Sequence, residues 1–184
     1  MELAFTDKLI FRAPTALPVE LLDLMEKHFD ELTFVDGEIG TKTRVEKDKR
    51  NSDINFIPWD EWIPAMMWSI MTTANQEYFK FDLEYWESGI QATRYRGEDK
   101  QFYDWHFDEL PNVEKQRKLS CSLLLNDGYE GGELQFDHCH RKPSISPKRG
   151  EIVIFPAWLP HRVTQVTSGT RKSLVGWAWG PPFR

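Results

Sequence analysis

Two stretches of the chain place apolar residues at the spacing of a helix with one buried face. The first covers residues 17–31, where Val19, Leu21, Leu22, Leu24, Met25 and Phe29 follow an early proline. The second covers residues 60–80 from Asp60 onward, with Pro64 inside its first turn, where a missing amide does little harm. Between them, residues 36–56 hold Gly37, Gly40 and a charge run through Lys42, Arg44, Glu46, Lys47, Asp48, Lys49, Arg50 and Asp53. That composition predicts a long, mobile, polar excursion. From residue 83 the pattern changes to short runs rich in β-branched, aromatic or leucine residues, at 90–95, 119–125, 133–136, 151–155, 163–166 and 171–179. Asn126-Asp127-Gly128, Gly131-Gly132, Arg149-Gly150 and Ser168-Gly169-Thr170 supply the reversals between them. Many short strands separated by turns predict a sandwich or jelly roll. The expected class is mainly β (α+β), a β core supported by N-terminal helices.

Composition changes this picture little. With 184 residues, 40% hydrophobic and 14% aromatic, the chain can bury one substantial core. A single domain over residues 1–184 is expected, its helices and polar excursion in 1–82 and its β core in 83–184. No apolar run reaches the roughly 18 residues of a membrane-spanning helix, and Met1-Glu2-Leu3-Ala4 does not start a secretory signal. A soluble, cytoplasmic protein is expected. Cys121 sits in an apolar run and Cys139 in a polar one, which is no disulfide framework and favours a reducing compartment. The net charge of -6 argues against a generic polyanion binder while leaving room for a local basic patch.

Candidate chemistry changes it more. His106 and Asp108 stand two apart in Trp105-His106-Phe107-Asp108, so one extended strand would point both to the same face. His161, in Pro160-His161-Arg162, would add an imidazole from a distant strand, and Arg171 follows. Two imidazoles and a carboxylate leave three positions open on an octahedral Fe(II), enough for a bidentate co-substrate and dioxygen. A guanidinium suits the free end of an organic dicarboxylate, because its rigid fork donates two parallel charge-assisted bonds and never deprotonates. A lone strand histidine is more often a satisfied structural residue; the set of four carries the assignment. His28 falls in the first predicted helix and reads as partly exposed. His138-Cys139-His140 has no second pair to complete a tetrahedral site and reads as loop.

A longer succession embeds these four. Tyr95, Tyr103, His106-Phe107-Asp108, Leu125-Asn126-Asp127, Gly131-Gly132-Glu133-Leu134, Pro147 with Gly150, Phe155-Pro156, His161-Arg162-Val163, Val166-Thr167-Ser168-Gly169-Thr170-Arg171 and Trp177 occur in this order. Together they resemble the Fe(II)- and 2-oxoglutarate-dependent oxygenases, specifically the prolyl 4-hydroxylase-like branch, over roughly residues 90–180. The resemblance implies a double-stranded β-helix, a distorted jelly roll of the cupin-like kind, in agreement with the strand pattern. It implies His106, Asp108 and His161 as iron ligands and Arg171 as the holder of the distal carboxylate of 2-oxoglutarate. Tyr95 and Tyr103 match tyrosines that line the co-substrate or substrate pocket, and Trp177 matches an aromatic that walls it. One position departs: Leu124 stands where many relatives have a tyrosine, removing a hydroxyl contact to 2-oxoglutarate. Tyr95 and Ser122 are the candidates to replace it.

The implied reaction hydroxylates an aliphatic carbon with dioxygen, converting 2-oxoglutarate to succinate and carbon dioxide, with ascorbate as a reductant. The expected substrate is a prolyl residue in a protein or peptide, a translation-machinery component among the candidates. Neither a membrane nor direct nucleic-acid binding is expected. Trp158, Arg162 and Arg44 are candidate substrate contacts; in the resembling hydroxylases a mobile loop near the place of residues 36–56 folds over the peptide. The alternatives are an oxygenase of a free amino acid or small metabolite and a non-catalytic jelly-roll binding module, which would have little reason to keep the triad with Arg171. A nucleic-acid demethylase of the same superfamily would carry a second arginine shortly after Arg171, and Trp177 stands there instead. A cupin-like metalloprotein would use histidines spaced by one residue, which only His138 and His140 offer.

Overall fold

The computed structural model describes residues 9–39, 44–109, 114–138 and 142–183. In chain order its elements are β1 (Phe11–Pro14), α1 (Val19–Asp30), β2 (Val35–Asp36), β3 (Arg50–Asn51), β4 (Asp53–Pro58), α2 (Trp62–Ala74), β5 (Tyr85–Trp86), β6 (Gly89–Arg96), β7 (Phe102–His106) and β8 (Gln116–Leu124). They continue with β9 (Glu130–Gly131), β10 (Leu134–Phe136), β11 (Ser144–Ile145), β12 (Glu151–Pro156), β13 (His161–Val163), β14 (Val166–Ser168) and β15 (Thr170–Gly180). A π-helical turn, Asn75–Phe79, extends α2. The larger sheet runs β1-β12-β8-β15-β6-β4-β2, with β5 paired to β15, and the smaller runs β11-β10-β13-β7-β3. Neighbouring strands are antiparallel throughout.

The sequence alternation sorts side chains to the two faces of the larger sheet. Ile152 and Ile154 of β12 and Leu119, Cys121 and Leu123 of β8 pack outward. They meet Leu22, Met25 and Phe29 of α1 and Ile63, Met67 and Met71 of α2, spaced three or four apart on one face of each helix. Burying each of the larger of these side chains stabilises the fold by about 2 kcal/mol. Val153 and Phe155 point the other way, onto Leu134, Phe136 and Val163 of the smaller sheet. The architecture is therefore a jelly roll with helices over the outer face of its larger sheet. No helix among the described residues is long and apolar enough to cross a membrane.

The inner face of the larger sheet is unusual for a buried surface because it is polar. Gln91 and Thr93 of β6, Ser120 and Ser122 of β8 and Arg171 and Ser173 of β15 are all buried. Buried polar groups are costly unless they are bonded to something, so this face marks where a polar guest belongs.

Both predicted helices form, at Val19–Asp30 and Trp62–Ala74. Strands cover the predicted runs at 90–95, 119–125, 133–136, 151–155 and 171–179 apart from single end residues. The glycines at the predicted reversals, Gly128, Gly131, Gly132, Gly150 and Gly169, all take positive φ. Three expectations need correction. The run at 163–166 is not one strand: His161–Val163 belongs to the smaller sheet and Val166–Ser168 pairs with β9. Residues 36–56 are not one polar excursion, because Asp53–Pro58 pairs along its length with β6. The Asp53 carboxylate, read as solvated, is buried and bonded by Arg94 and Gln101, both at 3.0 Å. Residues 40–43 of that stretch lie outside the described residues. Finally, His106 and Asp108 do not share a strand, since β7 ends at His106.

Candidate active site

His106 is the last residue of β7, and His161, the first of β13, is its direct cross-strand partner. Cross-strand neighbours place their side chains within contact distance, and the two imidazole centroids lie 4.2 Å apart. Asp108 follows the strand end, its amide donating to the Ala157 carbonyl at 3.0 Å, and the turn brings its carboxylate back to the histidines. His161 Nε2 is 3.4 Å from Asp108 Oδ2, and His106 Nε2 is 3.7 Å from Oδ1. One ligand atom from each of the three lies within 4.8 Å of the others. Adjacent donors on an octahedron with bonds of about 2.1 Å would sit about 3.0 Å apart, so a small movement would close this set on a metal.

The protonation states suit a divalent cation. Nδ1 of His106 lies 2.8 Å from the Asp104 carbonyl, and Nδ1 of His161 lies 2.9 Å from that of Leu159. A carbonyl only accepts, so each Nδ1 carries a proton and each Nε2 is the nitrogen turned to the centre. Burial, followed by the neighbouring His161, pushes His106 down to about 3, keeping it neutral. Burial alone would raise Asp108, but the two imidazoles outweigh it and hold the carboxyl well below the usual carboxylate range. A neutral His106 beside an ionised carboxylate is a state that binds metal.

The triad opens into a cavity of about 410 Å³, ample for a small co-substrate. Arg171 enters from β15 on the opposite sheet and is 1% exposed. Its Nη1 donates to Ser173 Oγ at 2.8 Å, while Nε and Nη2 have no partner. A buried guanidinium with idle donors requires an anion. Tyr95 lies beside it, ring centroid 5.9 Å from the guanidinium carbon, with its phenol raised by burial. Tyr103, Ser122 and Trp177 also line the cavity.

Three proposed substrate contacts lie elsewhere. Trp158 packs against the core between the sheets. Arg162, next in strand to the inward His161, bonds Gln135 at 2.8 Å and covers Trp105. Arg44 is exposed and pairs with Glu46. Leu124 does not line the cavity either. His138 falls within the described residues, whereas Cys139 and His140 lie outside them. Sequence reasoning missed Arg50 and the Arg117–Glu87 pair, which do line it. Arg117 donates to both Glu87 oxygens at 3.1 Å and to the Asp108 carbonyl at 3.1 Å, with its guanidinium 4.3 Å over Trp177. The inward alternation of β15 would have pointed to Ser173; nothing local distinguishes Arg50 from its charged neighbours.

Fold and donor set define a jelly-roll metalloenzyme that takes an anionic co-substrate, and Fe(II) with 2-oxoglutarate fits both the N2O ligand set and the idle guanidinium. The family model of the 2OG-Fe(II) oxygenase superfamily matches residues 90–179. A PKHD-type hydroxylase from Synechococcus sp. is 31% identical over 161 residues, spanning 84% of this chain and 70% of that protein. A crystal structure of a Pseudomonas putida prolyl-4-hydroxylase shares the fold with a TM-score of 0.73 at 23% identity, covering 92% of this chain and 91% of that one. A prolyl hydroxylase from Trichoplax adhaerens, in complex with a hypoxia inducible factor oxygen degradation domain peptide fragment, gives 0.76 at 17% identity, with coverages of 93% and 83%. The chain belongs to the 2OG-Fe(II) oxygenase superfamily, together with the PKHD-type hydroxylases, and is an Fe(II)- and 2-oxoglutarate-dependent dioxygenase.

Proposed function

We propose that this enzyme hydroxylates a prolyl residue in a protein or peptide, with His106, Asp108 and His161 as the iron ligands. Arg171 then holds the distal carboxylate of 2-oxoglutarate. The observation that carries this reading is the pairing, in one cavity, of the triad with a buried guanidinium that has two unpartnered nitrogens. When bound, Fe(II) and 2-oxoglutarate supply, with dioxygen, the oxidation that places a hydroxyl on an aliphatic carbon and releases succinate and carbon dioxide. The chain orients and encloses that chemistry. Asp104 and Leu159 fix the imidazole tautomers, and Ser173 and Tyr95 position Arg171. Trp177 and Phe155 wall the cavity against water.

A macromolecular substrate is favoured by the cavity rim. Phe56 and Phe107 line it yet are 52% and 62% exposed, an apolar margin suited to a chain lying across the opening. We further place the reaction in the cytoplasm, with a component of the translation machinery as the candidate partner. The free thiol of Cys121 and the basic excess of residues 42–50 support that placement. The test incubates the protein with Fe(II), ascorbate, 2-oxoglutarate and proline-containing peptides, and follows succinate and a peptide mass gain of one oxygen. Succinate formation that no proline peptide stimulates would reject the prolyl substrate.

A further inference from the structure

The cavity holds a second buried arginine. Arg50 lies on β3 at the edge of the smaller sheet, paired in register with Tyr103. It is 5% exposed and lines the same cavity as the triad. Its Nε donates to Ser52 Oγ and its Nη1 to the Glu38 carbonyl, both at 2.8 Å, and the guanidinium carbon sits 4.6 Å over the Tyr103 ring. These contacts aim the group without neutralising it. Nη2 has no partner, and among the described residues no carboxylate, Glu38 included, lies within ion-pair distance.

Charge bookkeeping separates Arg50 from Arg171, resting on the function proposed above. A divalent metal and Asp108 leave one positive charge, and Arg171 adds a second. The two carboxylates of 2-oxoglutarate offset both. Arg117 is already paired with Glu87. Arg50 itself is buried and has no ion-pair partner among the described residues, on the sheet opposite Arg171, and a buried unpaired charge is costly.

We propose that Arg50 is the receptor for a carboxylate of the substrate, so that the residue presented for hydroxylation carries or adjoins an anionic group. A planar fork with a free edge matches a carboxylate, and Arg50 presents that edge in the cavity that the triad also lines. The carboxylate has two possible sources: an acidic side chain next to the proline, or the α-carboxylate of a chain end or free amino acid.

Matched ligands distinguish them. Protein loaded with Mn(II) and 2-oxoglutarate without oxygen is titrated with acetyl-Ala-Ala-Pro-Glu-Ala-amide against its Gln counterpart. Acetyl-Ala-Ala-Pro with a free carboxylate is compared with its amide, and L-proline with L-prolinamide. The carboxylate member of at least one pair should bind about tenfold tighter or more. In Arg50→Gln that preference should collapse to within about twofold, with 2-oxoglutarate affinity unchanged; Arg50→Lys should keep part of it. No preference in any wild-type pair overturns the proposal, as does a preference that survives in Arg50→Gln. So does a loss of 2-oxoglutarate binding in Arg50→Gln matching that in Arg171→Gln, which would assign Arg50 to the co-substrate. If Arg50→Gln does not fold, Arg50→Lys replaces it, and an undiminished preference there overturns the proposal. Hydroxylation of the proline peptides without carboxylate preference rejects this assignment and keeps the prolyl reading; preference without proline hydroxylation does the reverse.

Discussion

Tyr103 lies flat on His106, with ring centroids 3.5 Å apart and planes 10° from parallel. The stack continues to Arg50 over Tyr103. Since Nδ1 of His106 is fixed by a carbonyl, the ring is held both in its plane and across it. Groups that orient a metal-binding imidazole act on metal affinity through the geometry they impose.

Tyr103→Phe preserves the stack and should leave Mn(II) affinity near wild type. Burial pushes the Tyr103 phenol up to about 12, so at neutral pH it bears no charge to lose. Tyr103→Ala removes the stack and should weaken Mn(II) binding about tenfold. Competition titration monitored by electron paramagnetic resonance reads both, and an unchanged affinity in the alanine variant would show that the stack does not position His106.

Arg171→Gln should separate stability from binding. In the metal-free protein it removes a buried guanidinium with two idle nitrogens, so the melting temperature should stay constant or rise. On the role proposed for Arg171, the same change would remove charge-assisted bonds to the 2-oxoglutarate carboxylate, and affinity for it should fall by about 2 kcal/mol or more, roughly thirtyfold. Thermal melts with and without 2-oxoglutarate measure both effects. A large destabilisation without ligand would mean that Arg171 is a structural residue with its donors satisfied.

Much of this site was legible from side-chain type and spacing. His106, Asp108, His161 and Arg171 converge because strand alternation sends alternate residues inward and because the turn after β7 returns Asp108 to the centre. Period alone did not reveal that turn, since an i, i+2 pair looks the same in a strand and just beyond one. Arg50 and Asp53 were hidden for another reason. A charged residue in a run of charges reads as solvated, and only the long-range pairing of β3 with β7 and β4 with β6 buries them. Trp158 and Arg162 neighbour His161 in sequence and Arg44 lies in the charge run, but closeness in sequence does not set where a side chain points. Alternation in β13 turns Arg162 away from the cavity that His161 faces.

Gly132 belongs to the Gly131-Gly132-Glu133 turn and reaches the site through Arg171. Its φ of 63° is in the left-handed region, and a Cβ there would lie 2.8 Å from Arg171 Cδ and 2.9 Å from Val166 Cγ2. Gly132→Ala therefore combines backbone strain with overpacking, a loss of about 1–3 kcal/mol. The arginine should shift with it, so 2-oxoglutarate affinity should fall several-fold while Mn(II) affinity is retained. Equal loss of both would indicate general loosening instead of a displaced Arg171.

Acid should destabilise the metal-free protein in a defined window. His106 falls from its ordinary 6.5 to about 3, first through burial and then through His161. Between those values the unfolded chain binds a proton that the native chain refuses, so stability declines as pH drops through this range and is unaffected by this group above it. Asp108, held below the usual carboxylate range by the two imidazoles, acts with the same sign at lower pH. Its contribution is present above about 4 and is lost as pH falls below. One proton of difference changes stability by about 1.4 kcal/mol per pH unit. His106→Gln keeps the size of the side chain but removes the titration, so urea unfolding between about pH 6 and 4 should show a shallower decline in the variant than in wild type. Parallel slopes would mean that His106 takes up its proton in the native state, and a neutral imidazole poised for metal would no longer describe this site.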